Sequence, residues 1–332
     1  MERSDWRALL SAGDDKEAVE LLRREAARVA EENFGRGVFI RGLIEISSYC
    51  RNNCNYCGLR CSNRAAERYR LSKDEILDCC RVGDTLGFNT FVLQGGEDVK
   101  QDDAWIADVV RSIKERYPDK AVTLSVGERS AEAYRTMRRA GADRYLLRHE
   151  SRNDEHYSLL HPARMSAQGR RECLAVLKEL GFQTGSGMMI GSPHQTIEHI
   201  IDDFQFLDEL QPQMIGVGPF IPAKNTPFEH FPAGAVDFTI LIVSLLRLRF
   251  PKALIPATTA LATIDERGRE RAILAGANVV MPNLSPRDVR SKYSIYDGKK
   301  SSGGESAQEL DALGRRLAAI GYHIDFSRGD YK

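Results

Sequence analysis

The sequence predicts an α/β protein built as a TIM-type (β/α)8 barrel, complete or nearly so, with a helical extension at its N-terminus. Three observations predict it. Eight short apolar runs of strand character alternate with longer amphipathic stretches between residues 38 and 283. Several of those stretches open on Ser or Thr and close on Gly, the residues that satisfy the orphan backbone groups at helix starts and stops. A doubly wound open sheet is the alternative, but the GxGxxG turn that a dinucleotide-binding sheet carries after its first strand is missing.

Residues 1–35 read as amphipathic helices ending at Gly35, and 36–332 as the barrel with a last helix. The strand candidates are VFIRGLIEIS (38–47), NTFVLQGG (89–96), AVTLSVG (121–127), RYLLRHE (144–150), FQTGSGMMIG (182–191), MIGVGPFI (214–221), ALIPATTA (253–260) and NVVMPN (278–283). Between them lie helices such as SKDEILDCCRVGDTLG, SAEAYRTMRRAGA, SAQGRRECLAVLKELG and TIEHIIDDFQFLDEL. KKSSGGES (299–306) resembles a linker, and AQELDALGRRLAAIG reads as the last helix. In such a barrel the active site is built at the C-terminal strand ends and the loops that follow them.

Acidic and basic residues balance at 47 each in 332 residues, so no global field attracts nucleic acid or an anionic membrane. No apolar run approaches the roughly 20 residues that span a bilayer, and the polar start MERSDWRALLSAGDDKEAVELL lacks a signal peptide's apolar core. The expected location is therefore the cytoplasm. Of seven cysteines, three fall between residues 50 and 57; in a reducing compartment this suggests a metal rather than disulfides.

SSYCRNNCNYCGLRC places Cys50, Cys54 and Cys57 in C-x3-C-x2-C spacing just after the first strand. Thiolates hold iron–sulfur clusters, and a cubane needs four iron ligands. Three cysteines leave one iron open, which an α-amino carboxylate can chelate. A structural zinc site, with Cys61 as fourth ligand, and simple burial are the alternatives. Tyr56, the aromatic before the third cysteine, favours the cluster.

The triad with its preceding aromatic resembles the radical S-adenosylmethionine (SAM) superfamily. The likeness narrows to the biotin synthase-like branch, and within it to the HydE family of FeFe-hydrogenase maturases. It is carried by CGLR (57–60), RYRLSKDEI (68–76), VLQGGED (92–98), ADRYLLRHE (142–150), VGPFIPAKNTP (217–227), IPATTA (255–260) and GANVVMPNLSP (276–286). The resemblance implies one [4Fe-4S] cluster on Cys50, Cys54 and Cys57, with SAM on its open iron. Gln94, Gly95, Gly96 and Glu97 resemble the family's GGE motif, where glycines let the backbone approach the cofactor; alone, such a turn is an ordinary βα connection. Glu150 is placed to accept the ribose hydroxyls, against the alternative of a salt bridge. Arg170 matches the arginine that binds the methionine carboxylate in a bidentate fork, with Arg171 as the competing register. Tyr56, Ser125, Met189, Gly218 and Pro219 complete the expected lining, although Met189 also suits plain core.

Arg41 and Arg148 stand in apolar strands, and a buried arginine is costly unless paired or bound to an anion. With Thr123, Thr258 and Thr259 they suggest an anion pocket inside the barrel, similar to the HydE cavity; a salt bridge with Glu45 or Asp98 is the alternative. Arg290, Tyr293 and Tyr296 in RSKYSIYDGK resemble a HydE segment beside cofactor and substrate, or else pack on the barrel rim. The resemblance implies radical modification of a small organometallic iron complex bearing CO, cyanide and cysteine. It further implies an electron donor such as flavodoxin or ferredoxin, and other hydrogenase maturases as partners. Some HydE members carry a second, C-terminal cysteine set for an accessory cluster; no cysteine follows Cys173 here, so that cluster is expected to be absent. Cys61 is also found in methylornithine synthase, a relative acting on lysine, which stays open as an alternative. The alternative of another class is a non-catalytic iron–sulfur or zinc module.

Overall fold

The computed structural model describes residues 1–299 and 306–332; most of the expected linker, 300–305, lies outside them. The first apolar run forms β1 (Gly37–Ile40) and β2 (Gly42–Ser47), broken at Arg41. There follow β3 (Thr90–Gly95), β4 (Ala121–Ser125), β5 (Arg144–Leu146), β6 (Gln183–Ser186), β7 (Met189–Ile190), β8 (Met214–Ile215), β9 (Gly218–Pro219), β10 (Val279–Val280) and β11 (His323–Asp325). Six of these strands form one parallel sheet, β2-β3-β4-β5-β6-β8. Single parallel bridges carry the pairing onward, Met214 to Leu254 and Pro256 to Val279. From there β10 pairs with β1, the other half of the run that began the sheet.

Side chains alternate in and out along each strand. Ile44, Ile46, Phe91, Leu93, Val122, Leu124 and Tyr145 face outward into the main core, against the helices. Phe39, Leu146, Met214, Leu254 and Val279 pack as a separate inner cluster. The helices are α1 (Arg3–Ser11), α2 (Lys16–Phe34), α3 (Lys73–Thr85), α4 (Asp103–Arg116), α5 (Ala131–Arg139), α6 (Asp154–Leu160), α7 (Ala167–Glu179), α8 (Ile197–Leu210), α9 (Val236–Arg249), α10 (Thr259–Ile264), α11 (Gly268–Ile273), α12 (Arg287–Arg290) and α13 (Leu310–Ala318). Ser72, Ser130, Ser166 and Thr196 each accept a backbone N–H from the first turn of their helix, as the sequence pattern requires. At the N-terminus, α1 lies on α8: the Trp6 ring is 4.3 Å from that of Phe204, and Arg3 pairs with Glu198 and Asp202.

The expected strands at 182–191 and 214–221 each divide in two. At the division Gly187, with φ +149°, passes so close to the neighbouring strand that a Cβ would sit 1.9 Å from the Gly216 carbonyl oxygen; beyond it β7 pairs with β9. The expected strand 253–260 keeps only its bridges, because Pro256 has no N–H for a ladder, and Thr258 becomes the N-cap position of α10.

The chain's end was foreseen only as a helix. After α13, β11 adds to the free edge of β1, and the residues beyond pass under the strand starts. There Thr90 Oγ1 and Arg144 donate to the Arg328 carbonyl (2.9 and 2.8 Å), and Arg144 pairs with Asp330 at 2.6 Å. Burial pushes the Asp330 carboxyl up, but hydrogen bonds from Arg144 and Arg328 outweigh it and hold the pKa at about 2. A carboxyl depressed in the folded state stabilises above its unfolded value near 3.8, and that contribution fades as pH falls towards 2. The melting temperature of Asp330→Asn should therefore sit below wild type at pH 6 and converge on it by pH 2. A constant offset over that range would show that the pair adds nothing.

Candidate active site

The cysteine loop leaves β2 at Ser47 and is pinned by backbone at both ends. Arg51 N–H donates to the Glu97 carbonyl (2.9 Å), Asn55 N–H to Leu160 (2.9 Å) and Gly58 N–H to Ile295 (2.9 Å). The Arg68 guanidinium gathers the carbonyls of Leu59, Arg60 and Asn63. Gly58 is required by the close approach, since a Cβ there would lie 2.3 Å from the Ser294 carbonyl oxygen. Cys50, Cys54 and Cys57 are free and half-buried at the C-terminal strand ends, whereas Cys61 is exposed. Burial pushes all three thiols up, Cys57 to about 12. They are therefore protonated at neutral pH, and metal loading must expel their protons. Among the described residues no three His, Cys, Asp or Glu side chains converge as ligands of one ion. A cubane holds its cysteine-bound irons at separate corners, so this spacing does not count against it.

The turn after β3 meets this loop directly. A Cβ on Gly96 would fall 2.2 Å from the Tyr49 carbonyl oxygen and 2.7 Å from Cys50 Cβ. Glu97 lies beside Cys50 and is engaged by the two loops around it. Its carboxylate accepts from Arg51 Nε and the Glu128 N–H (both 2.9 Å), so it braces the loop.

Glu150 follows β5 in a left-handed conformation, φ +63°. It is buried; Oε1 takes the Arg148 guanidinium (2.9 and 2.8 Å), and Oε2 has no partner among the described residues. Arg148 thus pairs with Glu150 rather than with Glu45 or Asp98. Arg170 and Arg171 diverge. Arg170 is buried against Glu128 and donates to the Arg148 carbonyl, and Cys54 lies within its electrostatic reach. Arg171 turns outward to Asp154 and the Arg152 carbonyl. On the carboxylate role that the family resemblance implies for Arg170, Arg170→Ala should raise the SAM dissociation constant roughly 10- to 100-fold, because hydrogen bonds to charged groups contribute about 1.5–3 kcal/mol, while Arg171→Ala should bind as wild type. Calorimetric titration of the two variants checks this.

Tyr56 packs with Leu160, Met189, Phe220 and Phe228. Its hydroxyl lies 3.1 Å from His161 Nε2, whose Nδ1 meets the Tyr157 carbonyl; burial holds that imidazole well below its usual pKa, hence neutral. Gly218 and Pro219 form β9, beside Met189 and Ile190. A Cβ on Gly218 would come 2.8 Å from Thr258 Oγ1. Neither Thr258 Oγ1 nor Thr123 Oγ1 has a partner among the described residues. Gln94 donates to the buried Tyr293 hydroxyl at 3.4 Å, Ser125 ends β4, Thr259 opens α10, and Tyr296 lies in the loop past α12.

Two expected pocket residues lie elsewhere. Arg41 is at the level of the strand starts, its guanidinium on Met214 Sδ (3.1 Å) and the Gly329 carbonyl (3.4 Å), because β1 ends there and the C-terminal tail passes beneath. Arg290 is consumed by the Ser285 carbonyl, Ser306 and Gln308 (2.7, 2.9 and 2.9 Å) and fastens its own loop. Sequence reasoning missed the inner pair of Glu45 and Lys299 at 2.6 Å, with Asn283 on the other carboxylate oxygen. An acidic residue in an apolar strand was its one signal.

A profile of the Radical SAM superfamily matches residues 44–207. The chain is 44% identical over 286 residues to the [FeFe] hydrogenase maturase subunit HydE of Thermotoga maritima, covering 86% of this chain and 81% of that one. It is 31% identical to 3-methylornithine synthase of Methanosarcina barkeri, over 96% of this chain and 89% of the relative. Among solved structures, methylornithine synthase (PylB) superposes with a TM-score of 0.87 at 29% identity, over 99% and 95% of the two chains. The [FeFe]-hydrogenase maturase HydG gives 0.81 at 18% identity, over 98% of this chain and 77% of the other, a likeness of fold.

Proposed function

The chain belongs to the radical SAM superfamily and is a radical SAM enzyme, and from that premise we propose that it acts on a small organometallic iron complex bearing CO, cyanide and cysteine, in maturation of the FeFe-hydrogenase cluster. The observation that carries this reading is the higher identity to the hydrogenase maturase than to the 3-methylornithine synthase, over most of both chains. We also read the eight parallel-paired segments as a complete barrel, and take the electron donor to be flavodoxin or ferredoxin.

The residues present fit the cofactor set. Three thiols on a pinned loop suit three irons of a [4Fe-4S] cluster, and the unpartnered Glu150 Oε2 is an acceptor held ready for a ribose hydroxyl. When bound, cluster and SAM together supply reductive cleavage to methionine and a 5′-deoxyadenosyl radical. Arg170 orients the methionine carboxylate, Glu150 the ribose, and the Gly218–Pro219 backbone the adenine. Tyr56, Met189 and Phe220 keep water from that side. Thr123, Thr258 and the remaining donors of Arg148 recognise anionic groups of the substrate, and Glu45 with Lys299 closes the opposite wall.

The test is turnover. Reduced, reconstituted enzyme is given the cysteine-bound iron dicarbonyl cyanide complex or lysine, and 5′-deoxyadenosine is counted. The iron complex should raise its formation several-fold above the uncoupled rate. Stimulation by lysine alone would overturn the proposal in favour of a methylornithine synthase-like mutase.

A further inference from the structure

We propose that Asp203 and His149 are positioning residues for Glu150, a buried clamp that holds the left-handed turn aiming its carboxylate into the site; this rests on the ribose role proposed for Glu150.

Glu150 needs holding. A residue with a Cβ is disfavoured at φ +63°, and the turn around it is tight: Ser151 N–H donates to the His149 carbonyl at 2.8 Å, while Glu150 N–H reaches the Gly187 carbonyl at 3.1 Å. One carboxylate grips the chain on both sides of this turn. Asp203 Oδ1, from α8, accepts from Arg152 N–H at 2.6 Å; His149 Nε2 lies 3.3 Å from it, within ion-pair range but outside hydrogen-bond geometry, with no hydrogen-bond partner among the described residues. His149 Nδ1 is 2.9 Å from Ser186 Oγ, so the imidazole is held to β6 and sits against Asp203 of α8.

Ser186, His149 and Asp203 have the residue types of a nucleophilic triad, but they are sealed between sheet and helix, with exposures of 0%, 1% and 0%. No substrate reaches them, and the role left to them is mechanical. Asp203 stands in the apolar stripe of α8, between Ile200, Phe204 and Leu207. Burial pushes its carboxyl up against the opposing pull of the nearby His149, and its Oδ2 has no partner among the described residues. A buried polar group in that state is costly, and what it secures in return is the backbone at 149 and 152. The helix carrying it is itself anchored, through Phe204 on Trp6 and Asp202 on Arg3.

The experiment is a double-mutant cycle on the reconstituted protein, reading calorimetric affinity for 5′-deoxyadenosine and, separately, for methionine. Asp203→Ala should weaken 5′-deoxyadenosine roughly tenfold, within the range of coupled neighbours, and leave methionine affinity and iron content unchanged. Asp203→Asn, whose amide oxygen still accepts from Arg152, should recover most of the loss. In a Glu150→Ala background Asp203→Ala should have no further effect. His149→Phe keeps the ring against Phe206 but loses both polar contacts; it carries the same expectations should Asp203→Ala not fold. Unchanged nucleoside affinity in the clamp variants, or losses that add to that of Glu150→Ala, would overturn the clamp. Unchanged affinity in Glu150→Ala alone would instead overturn the ribose role, and the clamp's purpose with it.

Discussion

Replacing Cys54 with Ala leaves the fold intact and lowers 5′-deoxyadenosine formation by at least about a thousandfold, because groups that act as a unit fail together. The loop around Cys54 is held by backbone hydrogen bonds and by Arg68, none of which involve the Cys54 thiol. Removing that thiol therefore removes a ligand without loosening the loop. A cubane with two protein ligands has two irons to satisfy from elsewhere, and iron content should fall with activity. Cys61→Ala is the paired control. Cys61 is exposed, so its variant should keep iron and turnover, whereas a zinc site using it as fourth ligand predicts loss in both variants. Metal analysis and chromatographic quantification of 5′-deoxyadenosine decide between them.

Gly96→Ala should fold, yet incorporate cluster poorly and lose about a hundredfold or more in turnover. The added Cβ meets backbone, not a flexible side chain: the Tyr49 carbonyl oxygen at 2.2 Å and Cys50 Cβ at 2.7 Å. Something must shift, and because Gly96 directly follows β3 and its N–H is held by the Ser47 carbonyl (3.2 Å), the displacement falls on the cysteine loop at Tyr49 and Cys50. Small misplacements of reacting groups cost about two orders of magnitude in rate. Gly35→Ala is the control: Gly35 has a positive φ, +64°, which Gly96 lacks, but nothing lies within 4 Å of its Cβ position. It should cost some stability and leave cluster content unchanged. Equal iron content in Gly96→Ala and wild type would refute the steric argument.

Much of this site could be read from residues alone, because its parts are local. The triad, the glycines after β3, Glu150 and Arg170 each sit in a short motif at a strand end or helix start, where type and spacing carry the chemistry. The capping residues Ser72, Ser130, Ser166 and Thr196 were legible for the same reason. What escaped depends on distant pairing. Alternation places Arg41 on the inner face, but only the tail beneath it, met 288 residues later, sends it to the strand starts. Glu45 stands out in an apolar strand, yet its partner Lys299 is 254 residues away. Asp203 was marked by an acid in an apolar helical stripe, and only tertiary packing reveals which turn it grips. Glu97 stands in the expected motif, but that its carboxylate takes Arg51 and the Glu128 N–H depends on pairings the motif does not carry.

In the function proposed above, Cys50, Cys54 and Cys57 hold a cluster with one open iron, beside Arg170 and Glu150, where SAM binds. Electron paramagnetic resonance of the reduced, reconstituted protein tests it most directly, with and without SAM labelled with oxygen-17 in its carboxylate. SAM should shift the cluster's signal and the label should couple to it, with the Arg170→Ala variant needing roughly 10- to 100-fold more SAM for the same change. A spectrum indifferent to SAM, in protein with full iron content, would contradict it.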